Sequence, residues 1–395
     1  MYFKQQISFL KRVRCILLVL FVVMHSIVSA QITINRFASN LTYFPGAGIS
    51  VSIVPQGVFD LNSNKFILEL SNSTGSFNTP TVLAEVTDFY TPVINGVIPN
   101  STPPGAGYKI RVRSLQPVYT AESNAFTIAS APGFNFTVPS LSITSTIYTD
   151  LINCVGSGTG YFGFLKRDAS NTTLNIDCQI NSYDAQFSYT VNFIDRFSTP
   201  NSTSVSSLPH FSGAFNTPDG KPIGHYPIEI IKTHTPSGTS SVFSSLYLFH
   251  TGNTGMGSLS SDFICVGDTV FFIVNQIATN YPGSKYSIEY GDGTSATQWK
   301  SHAEFLANDT LFYVYQTATC ASPAGLINGG RRSYRAQLNL WNKGLASDCI
   351  NFSQNGNGVT KWVNASKAPM ANFTAPTRSC VTRSEEHTSE LQSRQ

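Results

Sequence analysis

A short motif recurs along this chain at nearly fixed distance. Cys154-Val155-Gly156 returns as Cys265-Val266-Gly267 and, altered at its last position, as Cys380-Val381-Thr382, at intervals of 111 and 115 residues. Longer segments repeat in the same order. Residues 189–196 (YTVNFIDR) align with 286–293 (YSIEYGDG), and 226–230 (YPIEI) with 334–338 (YRAQL). Residues 131–139 (APGFNFTVP) return as 368–376 (APMANFTAP). A period of about 110 residues matches a seven-stranded sandwich domain, so the chain is expected to bury several small cores in series.

Within the units the local signal is strand. Residues 268–274 are β-branched and aromatic, and 334–340 alternate polar and apolar before Asn342-Lys343-Gly344 ends the run. No stretch after residue 30 reads as a capped helix of three turns. Residues 31–129 form a separate unit without cysteine. Its expected strands are 49–53, 66–71 and a two-sided one at 108–113, with Pro99 and Pro103-Pro104-Gly105 turning the chain before the last.

The ends differ from the rest. Lys4, Lys11, Arg12 and Arg14 precede an apolar run at 15–23 and the small residues Val28-Ser29-Ala30, the pattern of a signal peptide over residues 1–30. The run is broken at His25 and is short of the ~20 residues that span a bilayer. Residues 383–393 are similar to the conceptual translation of a sequencing adapter, so 383–395 is read as a non-native tail and the chain as truncated near Thr382.

Setting both ends aside removes six basic and three acidic side chains, which leaves the 25 basic and 22 acidic groups of the whole chain in balance. No electrostatic footprint for nucleic acid or anionic lipid remains. Six cysteines follow the signal, none in a CxxC pair; with an export signal they read as disulfide partners. The expected bridges are Cys154–Cys178 and Cys320–Cys349, with Cys265–Cys349 as the rival.

Residues 288–294 (IEYGDGT) are similar to the W-D-F-G-D-G-T signature of PKD domains. The segment 265–270 (CVGDTV) resembles the strand that opens them, and 334–342 the strand that closes them. The second unit matches weakly, because Ile194 and Arg196 stand where both turn glycines would be. Residues 31–129, with LELSNSTGSF, a later Ile-Pro and GYKIRVRS, resemble an Ig-like module of exported Bacteroidetes surface proteins, some linked to gliding motility and type IX secretion. The resemblance implies an all-β chain of tandem Ig-like and PKD-like β-sandwich domains used as spacer, adhesive or accessory modules. The boundaries it implies are 31–129 (Ig-like), 130–255 (degenerate PKD-like), 256–366 (PKD-like) and 367–382 (the start of a further repeat).

Glu289, Asp292 and the Thr294 hydroxyl are hard oxygen donors, but calcium takes six to eight oxygens and the further carboxylates of a calcium loop are missing. A hairpin whose glycines take positive φ explains the pattern better. There is no GxSxG, no HExxH and no phosphate loop, and the histidines are scattered. Trp299 and Trp362, in polar surroundings, are candidates for stacking on sugar rings, whereas Trp341 ends a core strand. Ten Asn-x-Ser/Thr sequons, Asn72 among them, reflect the Asn/Ser/Thr-rich composition. The reading is a non-enzymatic secreted or outer-surface protein without cofactor. Its expected partner is an extracellular protein or polysaccharide, with no nucleic acid and with membrane contact only through export or attachment. The alternative is the accessory substrate-binding region of a secreted hydrolase.

Overall fold

The computed structural model describes residues 31–131, 261–275, 282–342 and 360–367 continuously, and between 133 and 258 shorter stretches, most of them strands. Residues 1–30, Cys349, Cys380 and the tail lie outside the described residues, so the signal peptide and the further repeat are expectations only.

The first unit shows how alternation becomes a sandwich. Gly48–Gln56 pairs antiparallel with Gln31–Arg36 and with Val93–Val97, in registers that place Ile53 opposite Ile34 and Val51 opposite Ile94. A second sheet runs in the order Thr81–Thr87, Lys65–Leu70, Ile110–Ser114, Thr120–Glu122. Ile49 and Val51 from one sheet and Phe66, Leu68, Ile110 and Val112 from the other are fully buried in one core. Each contributes roughly 1.5–3 kcal/mol by leaving water.

The single strand expected at 108–113 is two strands in two different sheets. Gly105–Tyr108 pairs with Phe126–Ile128, and Ile110–Ser114 with Lys65–Leu70. Lys109 is the switch: its N–H donates to the Ser71 hydroxyl (2.8 Å) while its carbonyl accepts from the Ser71 N–H (3.0 Å). A side chain one strand away thus takes the ladder bond that would have continued the strand.

The repeat is visible in the pairing. In the second unit Phe187–Phe193 pairs with Gly224–His234, with Val191 opposite Ile230. In the third, Ser284–Glu289 pairs with Arg331–Asn342, with Ile288 opposite Leu338. The sequence alignment makes Val191 equivalent to Ile288 and Ile230 to Leu338, so the aligned residues meet in the same register. The third core gathers Val270, Phe272, Tyr286, Ile288, Tyr334 and Leu338.

The first core is not closed to its neighbours: Val242 of the second unit is buried in it, and Phe134, Phe136, Ile231 and Trp341 pack against it, whereas the third core is a cluster of its own. Trp341 stands on the core strand Arg331–Asn342, and its side chain packs against the first core. One short helix is described, the six residues His302–Ala307, below the three turns that the sequence argued against. Ser301 and Glu304 form a reciprocal capping box, and Phe305 is buried against Tyr286 (5.2 Å between ring centres). The S-x-x-E signature was legible in the sequence. No helix among the described residues is long and apolar enough to cross a membrane.

Candidate functional site: the glycine hairpin and the unit junction

The segment YGDGT forms a turn whose polar groups are consumed internally. Gly291 and Gly293 have φ of +78° and +91°. A Cβ at Gly291 would lie 2.3 Å from the Arg335 carbonyl oxygen, so this position needs glycine both for its dihedral and for its close backbone approach. Asp292 Oδ1 accepts from the Thr294 N–H (3.0 Å) and hydroxyl (2.6 Å), and Oδ2 from the Tyr313 hydroxyl (2.6 Å). Desolvation alone would raise the Asp292 carboxyl; the bonds from Thr294 and Tyr313 outweigh it and hold the group below the usual carboxylate range.

Tyrosines carry that anchor into the core. The Tyr313 ring stacks on Tyr290 (3.7 Å, 12°) and meets the edge of Tyr315, whose hydroxyl donates to the Tyr290 carbonyl (2.9 Å). Tyr315 in turn stacks on Tyr334 (4.9 Å, 5°). Desolvation raises the Tyr313 hydroxyl, and so does the Asp292 carboxylate beside it, so it stays a donor at neutral pH. The alternation of Tyr313 and Tyr315 in LFYVYQ was the available signal for these residues.

Glu289 and Asp292 are not brought together as ligands. Glu289 is exposed and accepts from the Asn339 amide (3.1 Å). Among the described residues no group of three His, Cys, Asp or Glu side chains could hold a metal ion.

The aromatic candidates are likewise apart. Trp299 is exposed beside the Lys285 ammonium (5.4 Å to the ring centre), which sits closer to Trp341 (4.3 Å). Trp362 is half-buried in the sheet opposite Arg335.

Cys265 and Cys320 are free thiols among the described residues, and Cys349, the expected partner of either, lies outside them. The two described thiols do not bridge each other. Val266 N–H bonds Ser366 O on one flank of Thr360–Ser366, and Thr319 N–H bonds Ala365 O on the other. Adjacent residues of a strand direct their carbonyls to opposite sides, so two strand spacings, about 10 Å, separate the cysteines, well over the ~7 Å limit for a disulfide. The side chains of Cys154 and Cys178 lie outside the described residues.

An extensive polar constellation among the described residues lies at a place the sequence did not single out, between the first two units. The Arg36 guanidinium forks onto both oxygens of Glu229 (2.6 and 2.9 Å), and the Asn192 amide donates to the same carboxylate (2.7 Å). The Glu229 side chain is 3% exposed. Asn95 and the backbone of Ser244 exchange two bonds (2.9 and 3.0 Å), Ser50 donates to the Ser244 hydroxyl (2.8 Å), and Gly48 N–H to Ser241 Oγ (2.9 Å).

On another face the connecting segment is gripped. Phe136 lies edge-on to Phe44 of the first unit (4.8 Å) and to Phe187 of the second (5.8 Å). Buried Lys232 places its ammonium over Phe187 (4.3 Å) and Phe136 (4.7 Å) and donates to the Thr137 carbonyl (3.1 Å). Burial lowers the Lys232 pKa, against the opposing charge of Asp184.

No family model matches the chain, and no curated protein matches it. Solved structures do. One, the tetra-tandem repeat in the extending region of a large adhesion protein, is 10% identical over 86% of this chain and 74% of that one, with a TM-score of 0.30. The FN1–FN3 domains of chicken CNTN1 are 9% identical over 85% and 99%, at 0.21. A structure described by host cell surface retention of a 1.5-MDa bacterial ice-binding adhesin is 10% identical over 85% and 95%, at 0.20.

Proposed function

We propose that this chain is a non-enzymatic protein of the cell surface or extracellular space, whose tandem Ig-like and PKD-like sandwiches serve as spacers and adhesion modules. The observation that carries this reading is the welded junction. A buried, bidentate Arg36–Glu229 pair, a shared hydroxyl and amide network and an aromatic plug join the first two units without a free linker. A stiff joint of this kind transmits force and fixes the direction in which loops are presented.

The YGDGT turn belongs to the same reading, as a fold marker closed by its own Asp292–Tyr313 bond and not as an ion loop. The unit boundaries at 129 and 255, export by residues 1–30 and a Cys154–Cys178 bridge are parts of the proposal.

Small-angle scattering of the secreted chain tests it. The expected result is one fixed distance between the first two units, broadened in Arg36→Ala, with no turnover of polysaccharide or peptide substrates. Freely jointed units in the unaltered chain, or hydrolysis of any such substrate, would sink it.

A further inference from the structure

A cavity of about 290 Å³ opens on the first unit, away from the junction contacts described above. Leu70 and Tyr108 line it, both buried, and they make its floor. One wall is the turn that begins at Ser71, and the other runs from Pro99 to Pro103. Three stretches far apart in sequence meet here, and they include the LELSNSTGSF, Ile-Pro and GYKIRVRS segments that mark this unit.

Both walls are held before any ligand arrives. Asn72 Oδ1 accepts from the Thr74 N–H (3.0 Å), the Thr74 hydroxyl (2.9 Å) and the Ser76 N–H (2.9 Å), which fixes the first. The turn then lies directly on the neighbouring strand, because a Cβ at Gly107 would come within 2.5 Å of the Ser73 carbonyl oxygen. The second wall is tied by the Thr102 N–H to the Pro99 carbonyl (3.0 Å) and by the Tyr108 hydroxyl to the Pro103 carbonyl (2.7 Å).

The lining carries no charged side chain. The hydroxyls of Ser73, Thr79, Thr81, Ser101 and Thr102 make no hydrogen bond to protein among the described residues, and all of these residues but Thr102 are exposed, so a ligand would replace water at the rim. A hydroxyl both donates and accepts, so five of them around a preformed cup match a ligand that itself presents alternating hydroxyls. Absence of charge gives no hold on a phosphate or carboxylate, so the lining favours a neutral ligand. The volume sits at the lower edge of the usual range for ligand cavities, about 300–1,000 Å³.

We propose that this cavity is a subsite for one neutral sugar residue of a glycan. The assignment deepens the adhesion part of the function proposed above and rests on it, yet it fails separately. Loss of the sugar site leaves the stiffness of the junction, measured by scattering on the same sample, untouched.

The experiment is saturation-transfer NMR of the full chain with methyl glycosides of glucose, galactose, mannose and N-acetylglucosamine. At least one is expected to saturate in the millimolar range. The double variant Thr79→Val/Thr81→Val, which keeps side-chain size, is expected to weaken it at least tenfold with the melting temperature unchanged, and Ser101→Arg to abolish it by filling the cup. The proposal is overturned if no glycoside receives saturation, or if both variants bind as the unaltered chain does. It is also overturned if the signal is lost in Trp299→Ala/Trp362→Ala and kept in the cavity variants.

Discussion

The second and third units pair equivalent strands in the same register, yet they use three equivalent positions in opposite ways. Where the third unit has Leu340 buried opposite Tyr286, the second has Lys232 buried opposite Tyr189. Where the third pairs an exposed Glu289 with Gln337, the second pairs Asn192 with a buried Glu229. The carboxylate has changed strands and moved from water to an interface. The difference shows that the scaffold tolerates polar groups at core positions when partners reach them from a neighbouring unit or from the segment that leads into the strands. Arg36 comes from the first unit, and Phe136 and Thr137 come from the connecting segment. The second strand pair has been adapted to dock through polar groups; the third keeps an apolar Leu340 buried and Glu289 exposed at the aligned positions.

Exchanging the two uses should break the molecule at the third unit first. Leu340→Lys places an ammonium in a core that offers no equivalent of the Thr137 carbonyl, and is expected to cost about 4 kcal/mol of stability in urea unfolding. The reverse exchange, Lys232→Leu, should be close to neutral at pH 7. Lost cation–π contacts, each roughly 0.5–2 kcal/mol, are offset by removal of a buried charge. A tolerated Leu340→Lys would mean that the Lys232 box is incidental and that any sandwich core of this chain accepts a lysine.

The paired carboxylates sharpen the same contrast. Arg36→Ala leaves Glu229 buried with only the Asn192 amide and should cost about 3 kcal/mol, and it should uncouple the first unit from the second in thermal unfolding. Glu289→Ala removes one exposed bond to Asn339 and should change stability by less than about 0.5 kcal/mol. Equal effects would show that Glu229 is no more committed than a surface residue.

How much of this could be read from the sequence follows from where the information resides. The all-β character, the repeat and the hairpin at Asp292 rest on local patterns: alternation, turn glycines and aligned segments. The docking of one unit on another does not, because Arg36 looks like any strand-end arginine until Glu229 is placed 193 positions away beside it. The break at Lys109 was hidden for a related reason. Residues 108–113 alternate without interruption, and the Ser71 and Ser123 hydroxyls, which take the N–H groups of Lys109 and Ile110, divert the chain. The surface that Trp341 packs against was hidden through the same limit, since it belongs to another unit.

A smaller effect separates the glycine turn from its counterpart. The third-unit tip needs Gly291 for its φ of +78° and for the Arg335 carbonyl packed against it, whereas the second unit has Ile194 at the aligned position. Gly291→Ala should therefore destabilise by about 2 kcal/mol, measured as a shift of the urea midpoint. A neutral result would make the two tips interchangeable.

The weakest expected effect, and the most specific to the adapted hairpin, is a pH dependence carried by Lys232. Desolvation lowers its pKa in the folded protein, with the charge of Asp184 working against that shift. In the unfolded chain the same lysine titrates near its ordinary value of about 10.4. Between the lowered value and about 10.4 the unfolded state holds more protons than the folded one, so the free energy of unfolding rises with pH through that window. Below the window both states carry the charge, and folding bears the full cost of burying it. Lys232→Leu retains every other titrating group, Asp184 and Tyr189 included, so the difference between the two proteins isolates the lysine. Stability of the unaltered chain relative to Lys232→Leu should climb as pH is raised through the lowered value towards about 10.4, and the third unit, with Leu340 in the aligned place, should show no such climb. A difference that stays flat with pH would mean that the rings of Phe136 and Phe187 and the Thr137 carbonyl replace the water around the ammonium completely, so that the second unit buries its charge as cheaply as the third buries its leucine.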